Sequence, residues 1–167
     1  MLVRTDAGAP IHECGLCGAR FGERVLIEAI EDAEQARERG VPARVWPLVR
    51  ALDKLPGVHV GDASAGEARP PILPFVELRI ASAEALVQLE NLAKSLLLGA
   101  GALRSHWVLE VEYRRHLAFV LKPRHPGGAV HVDQVVAAQG DLGVLRRHLE
   151  RDARLGWWRH AGGAPSG

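Results

Sequence analysis

The chain has 167 residues, which is the size of one domain with at most a small appendage. Apolar residues make up 47% and charged residues 25%, a globular composition that argues against wholesale disorder. The formal net charge of +1 gives no overall field that would attract nucleic acid or a membrane. No apolar run approaches the roughly 20 residues of a spanning helix, and two cysteines are too few for a disulfide framework. These features predict a cytoplasmic protein that does not bind membranes.

The first predicted elements are a loop and two helices. Residues 1–20 are rich in Gly, Pro and Ala and predict a loop. Apolar residues then recur at spacings of three and four, which predicts a helix that ends at Gly40 and Pro42. The predicted apolar stripe of this helix consists of Val25, Leu26, Ala29, Ile30, Ala33 and Ala36. A second, shorter helix is predicted over 46–55, with Pro47 in its first turn.

Strands and a long helix are predicted in the middle of the chain. Residues 58–60 predict a short strand, 61–66 a loop of small residues, and 75–80 a strand with polar and apolar residues in alternation. A helix follows over 83–98, and Gly99 is predicted to end it. Its predicted inner face consists of Leu86, Leu89, Leu92, Ala93, Leu96 and Leu97.

The last part of the chain predicts a hairpin and helices. Residues 106–113 and 117–121 predict the two hairpin strands, and 130–132 predict an edge strand. One face of the first hairpin strand is predicted to present Trp107, Leu109, Val111 and Tyr113. Asp133 and Asp141 are predicted to cap two separate helical segments, because aspartate is favoured at helix N-termini.

Together these elements predict an α+β fold. We expect a mixed or antiparallel sheet with helices packed on one face, plus a short N-terminal loop that resembles a zinc knuckle. The predicted organisation is a CxxC segment at 1–22, a single α+β domain at 23–160 and a disordered tail at 161–167.

The sharpest local motif is the CxxC sequence at 14–18, Cys-Gly-Leu-Cys-Gly. It matches half of a zinc-ribbon site, in which glycines allow the tight turn that brings two thiolates onto one ion. His12 is a candidate third ligand, and a fourth would come from a distant histidine or another subunit. The context does not fit a redox-active pair, because no strand precedes the motif and the predicted helix starts several residues after it. The alternative that stays open is two surface thiols without a metal. The predicted metal ligands are His12, Cys14 and Cys17.

The loop at 61–66 is the most suggestive stretch for a ligand. It follows a strand, and its small side chains would let backbone N–H groups approach an anion or a polar group. It has neither the G-x-G-x-x-G spacing nor the lysine of a P-loop. The alternative is a flexible connection.

Charge is distributed unevenly along the chain. Residues 1–100 hold 11 Lys and Arg against 14 Asp and Glu, whereas residues 101–167 hold 10 against 6. Arginines near Trp157 and Trp158 are able to hold phosphate and stack on bases, but acidic residues are interleaved with them. RNA is therefore one possible partner, and a solvated helix face is the alternative.

The order of several segments resembles one known family. The segments are Leu-Val-Arg-Ala-Leu at 48–52, Val-His-Val-Gly-Asp-Ala-Ser-Ala-Gly at 58–66 and Pro-Phe-Val-Glu-Leu-Arg at 74–79, followed by a long helix and the hairpin. Over about residues 45–122 this order resembles the wybutosine-synthesising tRNA methyltransferases. Asp62-Ala63 and Glu67 stand where that family has a Ser-Cys pair and an arginine.

The resemblance implies an S-adenosylmethionine-dependent enzyme that modifies tRNA. It implies ligand-binding roles for Asp62, Ser64, Gly66, Arg104 and Ser105. The substituted motif residues favour a different function, that of a binding or accessory module for a small ligand or a protein, with or without zinc at the CxxC motif. No residue is predicted to be catalytic.

The zinc hypothesis makes a direct prediction. Purified protein should contain about one equivalent of zinc per chain or per two chains by elemental analysis, and Cys14→Ser should remove it because thiolates supply much of the affinity. Protein that holds no metal, and folds and melts unchanged without it, would refute the site.

Overall fold

The computed structural model describes residues 2–4, 10–13, 20–113 and 116–154. The chain forms two compact units, Met1–Ala43 and Arg44–Gly167. Within the described ranges, no helix is both long enough and apolar enough to cross a membrane.

The N-terminal unit contains three short strands and a helix. The strands β1 (Leu2–Arg4), β2 (Pro10–Glu13) and β3 (Arg20–Gly22) form an antiparallel sheet in that order, and α1 (Glu23–Glu38) follows. The prediction of a loop over residues 1–20 was therefore wrong where these strands lie. Strands of three or four residues are too short to show a periodic pattern in the sequence.

Helix α1 ends as the sequence predicts. Gly40 has a φ of +65°, a left-handed conformation that glycine adopts without strain. Its N–H donates to the carbonyl of Arg37 at 3.1 Å, and the N–H of Val41 donates to the carbonyl of Ala36 at 2.9 Å. These two bonds form a Schellman motif, which satisfies carbonyl groups that the end of a helix leaves unpaired.

The C-terminal unit is built around one antiparallel sheet. Its elements are α2 (Trp46–Leu52), β4 (Val58–Ser64), β5 (Glu67–Ala68), β6 (Pro71–Ile72), β7 (Phe75–Ile80), α3 (Ala85–Gly99), a 3-10 turn (Ala100–Ala102), β8 (Trp107–Tyr113), β9 (Leu117–Pro123) and α4 (Val132–Arg154). Strands β4, β7, β9 and β8 form the sheet in that order, and β5 and β6 pair separately. The predicted α+β fold and the hairpin are confirmed.

Helices α3 and α4 cover one face of this sheet. Val76, Leu121 and Leu109 lie opposite one another on β7, β9 and β8, so their side chains share a face. Leu121 lines a small apolar cavity together with Leu92, Leu96, Leu145 and Leu149 of the two helices. We call this the inner face and the opposite one the outer face.

Strand β4 is longer than the sequence predicts. It continues to Ser64, with a register shift between Val60 and Ala63, so most of the predicted loop over 61–66 is strand. A side chain at Gly61 would place its Cβ 2.6 Å from Oε1 of Glu77. Gly61 therefore permits close contact within the sheet, and the interpretation as a loop was wrong for residues 61–64.

The C-terminal helical segments form one continuous helix. Helix α4 has 23 residues, so the predicted edge strand at 130–132 and the break before Asp141 were wrong. At its N-terminus the side-chain oxygen of Gln134 accepts from the N–H of His131 at 2.9 Å, as in a capping box. Gln134, rather than Asp133, makes the cap contact.

The apolar stripe predicted for α3 is correct in part. Leu89, Leu92 and Leu96 are buried as predicted, but Leu86 and Leu97 are exposed. The buried face is completed by residues that are small or polar, namely Ala85, Gln88, Ser95 and Gly99. Periodicity predicted the helix, whereas its orientation depends on these less apolar residues.

The packing of α3 gives a stability prediction. Leu89 is 3% exposed, so Leu89→Ala should lower the free energy of unfolding by about 2–5 kcal/mol, because it removes buried apolar contacts and leaves a cavity. Leu97→Ala on the same helix should change it by less than about 0.5 kcal/mol, since Leu97 is 70% exposed. Urea unfolding measures both variants, and equal losses would contradict the orientation of α3.

Candidate functional site

A buried carboxylate on α4 fixes the chain between α3 and β8. Oδ1 of Asp141 accepts from the backbone N–H of Arg104 at 2.8 Å. Oδ2 accepts from the N–H of Ser105 at 2.8 Å and from Nε1 of Trp107 at 3.0 Å. Asp141 is only 1% exposed, and these three bonds compensate for the loss of water around its charge. The turn before β8 is thereby bound to the middle of α4.

Arg104 lies along the surface of α4. A Cβ built on Gly140 would be 3.5 Å from Nη1 of Arg104, an ordinary van der Waals distance. The guanidinium group therefore lies against α4 at Gly140, and a methyl group there would not displace it. Arg104 itself is exposed, so its charge faces solvent.

The connection between β9 and α4 brings Arg124 and His125 close to Arg104. The N–H of Arg124 donates to the carbonyl of His106 at 2.6 Å, which extends the β8–β9 pairing by one step. Nε2 of His125 lies 3.2 Å from the carbonyl oxygen of Gly128. Gly127 and Gly128 have φ values of +99° and +92°, which allow the chain to turn sharply into α4.

These segments enclose a cleft of about 320 Å³ at the start of α4. We call it the basic cleft. Its polar lining consists of Arg104, Ser105, His106, Arg124, His125, Asp133 and Gln134. Two arginines against one aspartate give a formal charge of +1 with both histidines neutral, and protonated histidines would raise it. The volume lies at the lower end of the range for small-molecule sites.

Two of the five predicted ligand residues line this cleft, Arg104 and Ser105. Their backbone N–H groups are already bound by Asp141, so the donors that they offer a ligand are on their side chains. His106, Arg124 and His125 were not among the residues predicted for this site. The hairpin prediction could have placed them together, because His106 precedes β8 and Arg124 and His125 follow β9, and residues at one end of a hairpin are neighbours in space.

The other three predicted residues are not part of the cleft lining. Oδ1 of Asp62 accepts from the N–H of Ala63 at 2.9 Å, and Oγ of Ser64 accepts from the N–H of Gly66 at 3.1 Å. The carbonyl of Gly66 accepts from Nε2 of Gln139 at 3.0 Å. These polar groups therefore stabilise the local backbone and its attachment to α4. The attachment is made by Gln139, which directly precedes Gly140, the glycine beside Arg104.

The predicted zinc site falls largely outside the described residues. His12 lies in β2, opposite Leu2 and Phe21, whereas Cys14 and Cys17 are among the residues that the structure does not describe. Among the residues that it does describe, no group of three His, Cys, Asp or Glu side chains is placed to hold a metal ion. Zinc binding by His12, Cys14 and Cys17 stays a prediction.

Comparison of the chain with protein-family models, with curated proteins and with solved structures gives no match.

The role of Asp141 is testable by substitution. Asp141→Ala should lower the free energy of unfolding by about 3–5 kcal/mol, because it leaves the N–H groups of Arg104, Ser105 and Trp107 without their acceptor. Glu150→Ala is the matched control, since Glu150 is a carboxylate on the same helix in a half-exposed pair with Arg146. The control should cost less than about 1 kcal/mol in urea unfolding. Similar losses for the two variants would show that Asp141 does not fix the turn.

Proposed function

We propose that the C-terminal unit is a binding module and that its basic cleft takes a small anionic ligand. The observation that carries this proposal is the convergence of Arg104 and Arg124 on one cleft from segments on either side of the hairpin. Guanidinium groups match phosphate and carboxylate oxygens with paired N–H donors, and such charge-assisted bonds are stronger than neutral ones.

Other features of the cleft support an anion. His106 adds a side chain with a ring N–H donor, and the N-terminal end of α4 contributes a partial positive charge from its aligned peptide dipoles. Asp133 opposes this field in part, which favours a ligand of small negative charge over a polyanion. The lining is open to solvent, so binding should weaken as ionic strength rises.

The backbone on one side of the cleft is ordered before a ligand arrives. Asp141 binds the N–H groups of Arg104 and Ser105, and the β8–β9 pairing includes the N–H of Arg124. A preformed backbone reduces the conformational entropy that binding would otherwise cost. We infer that ligand binding needs only the arginine and histidine side chains to be ordered.

The alternative function is the S-adenosylmethionine-dependent tRNA-modifying enzyme that the sequence resemblance implies. The presence of Arg104 and Ser105 in the cleft lining favours it. The placement of Asp62, Ser64 and Gly66 in local hydrogen bonds outside the lining favours the binding module instead. S-adenosylmethionine is therefore the ligand whose binding discriminates between the two functions.

The binding proposal predicts the effect of one arginine. Ribose 5-phosphate should bind the protein in isothermal calorimetry at low salt, and Arg124→Gln should weaken binding by about 10- to 100-fold because a charge-assisted contact is lost. Arg147→Gln is the matched control, because Arg147 is an exposed arginine on α4 outside the cleft. The control should retain the wild-type affinity within about threefold.

Two results would contradict the binding proposal. One is the absence of ribose 5-phosphate binding at millimolar concentration, and the other is an equal loss of affinity in both arginine variants. Binding of S-adenosylmethionine that is weakened by both Asp62→Ala and Arg104→Ala would favour the enzyme.

A further inference from the structure

A second cleft lies next to the basic cleft, on the outer face of the sheet. It measures about 240 Å³ and is lined in part by Phe75, Glu110, Glu112 and Lys122. We call it the sheet-face cleft. The two clefts share Leu73, Pro123 and His125, so they are contiguous around the end of β9. A ligand longer than a single anionic group would be able to extend from one into the other.

The two clefts differ in charge. In the sheet-face cleft, Nζ of Lys122 lies 2.9 Å from Oε2 of Glu110 and 2.5 Å from Oε1 of Glu112. The hydrogen bonds with Glu112 and then Glu110 hold the pKa of Lys122 above its ordinary value, although partial burial opposes this. The lysine is thus a cation bound to both carboxylates. Two carboxylates against one ammonium leave a formal charge of −1, opposite in sign to the basic cleft.

The side chains of the sheet-face cleft combine carboxylates with an aromatic ring. Glu110 has a side chain that is 47% exposed, so it remains accessible to a ligand beside Lys122. Phe75, which is half-buried, supplies apolar surface beside the buried Pro74 and Val120. A planar ring that carries N–H donors fits this combination, since it stacks on an aromatic side chain and donates to a carboxylate.

We propose that the ligand of the basic cleft is a mononucleotide whose base occupies the sheet-face cleft. This inference rests on the proposed function, because its phosphate would bind Arg104 and Arg124. The base would lie against Phe75 and donate N–H groups to Glu110. The charge pattern of the two clefts, positive and then negative, matches a ligand with an anion at one end and hydrogen-bond donors at the other.

The acceptor character of Glu110 predicts a preference among bases. Guanine presents a ring N–H and an amino group side by side, so one carboxylate is able to accept two parallel hydrogen bonds from it. Uracil presents carbonyl oxygens on both sides of its single ring N–H, and a carboxylate repels them. A guanine nucleotide should therefore bind more tightly than a uracil nucleotide.

Calorimetry with GMP, UMP and ribose 5-phosphate tests this inference. GMP should bind the wild-type protein at least tenfold more tightly than ribose 5-phosphate and more tightly than UMP. Glu110→Gln should bring GMP to within about threefold of UMP and leave ribose 5-phosphate unchanged. Phe75→Leu should weaken both nucleotides, because stacking is lost, without affecting ribose 5-phosphate. Glu150→Gln, a carboxylate change outside both clefts, serves as the control.

The outcomes separate this inference from the proposed function. If GMP, UMP and ribose 5-phosphate bind the wild-type protein equally, the nucleotide inference is overturned and anion binding stands. If none of the three binds, both are overturned. The wild-type comparison decides the question even where a variant fails to fold.

Discussion

The carboxylate of Asp141 is the constraint on which the candidate site depends. It lies in the middle of α4 and binds the backbone of Arg104 and Ser105 together with the indole of Trp107. These groups belong to the turn before β8 and to the first residue of that strand, so one side chain attaches the hairpin to the helix. A buried charge is unfavourable unless such donors surround it, which makes the arrangement specific as well as stabilising. The position of Arg104 at the cleft follows from this attachment.

A second set of polar contacts organises the outer face of the sheet. Oε1 of Glu77 accepts from Nε of Arg79 at 2.9 Å and lies 3.1 Å from Nε2 of His116. Burial disfavours the charge of Glu77, but these two partners outweigh it and hold the pKa of this carboxyl below its ordinary value. Gly61 leaves the space that the carboxylate needs. The outer face therefore carries paired charges near Glu77 and a more open, acidic surface at Glu110.

Much of the fold could be predicted from local sequence, and most of the site could not. The alternation in Phe75–Ile80 and the hairpin strands is a local signal, and it indicated the correct elements. Helical periodicity likewise placed Leu89 and Leu92 in the core, but it could not show that Leu86 faces solvent, because that depends on what packs against α3.

The site could not be predicted from the sequence, because its contacts join residues that are far apart along the chain. Aspartate is a common helix cap, so the sequence predicted that Asp141 would bind N–H groups of its own helix. Its three donors instead lie 34 to 37 residues earlier in the chain. Arg104 precedes the hairpin in the sequence and Arg124 follows it. The β8–β9 pairing and the turn into α4 bring the two residues together. The small residues at 61–66 indicated a ligand loop, but 61–64 belong to β4 and the space at Gly61 is taken by the side chain of Glu77.

Mapping of backbone amide shifts tests the location of the site most directly. In an NMR titration with ribose 5-phosphate at constant pH and ionic strength, we expect the largest shifts at 104–106, 124–125 and 133–137, which include the cleft lining. Residues 62–66 should shift little, because they are not part of the cleft lining. Shifts centred on 62–66, or spread evenly over the basic surface of the protein, would contradict a binding site in the cleft at the start of α4.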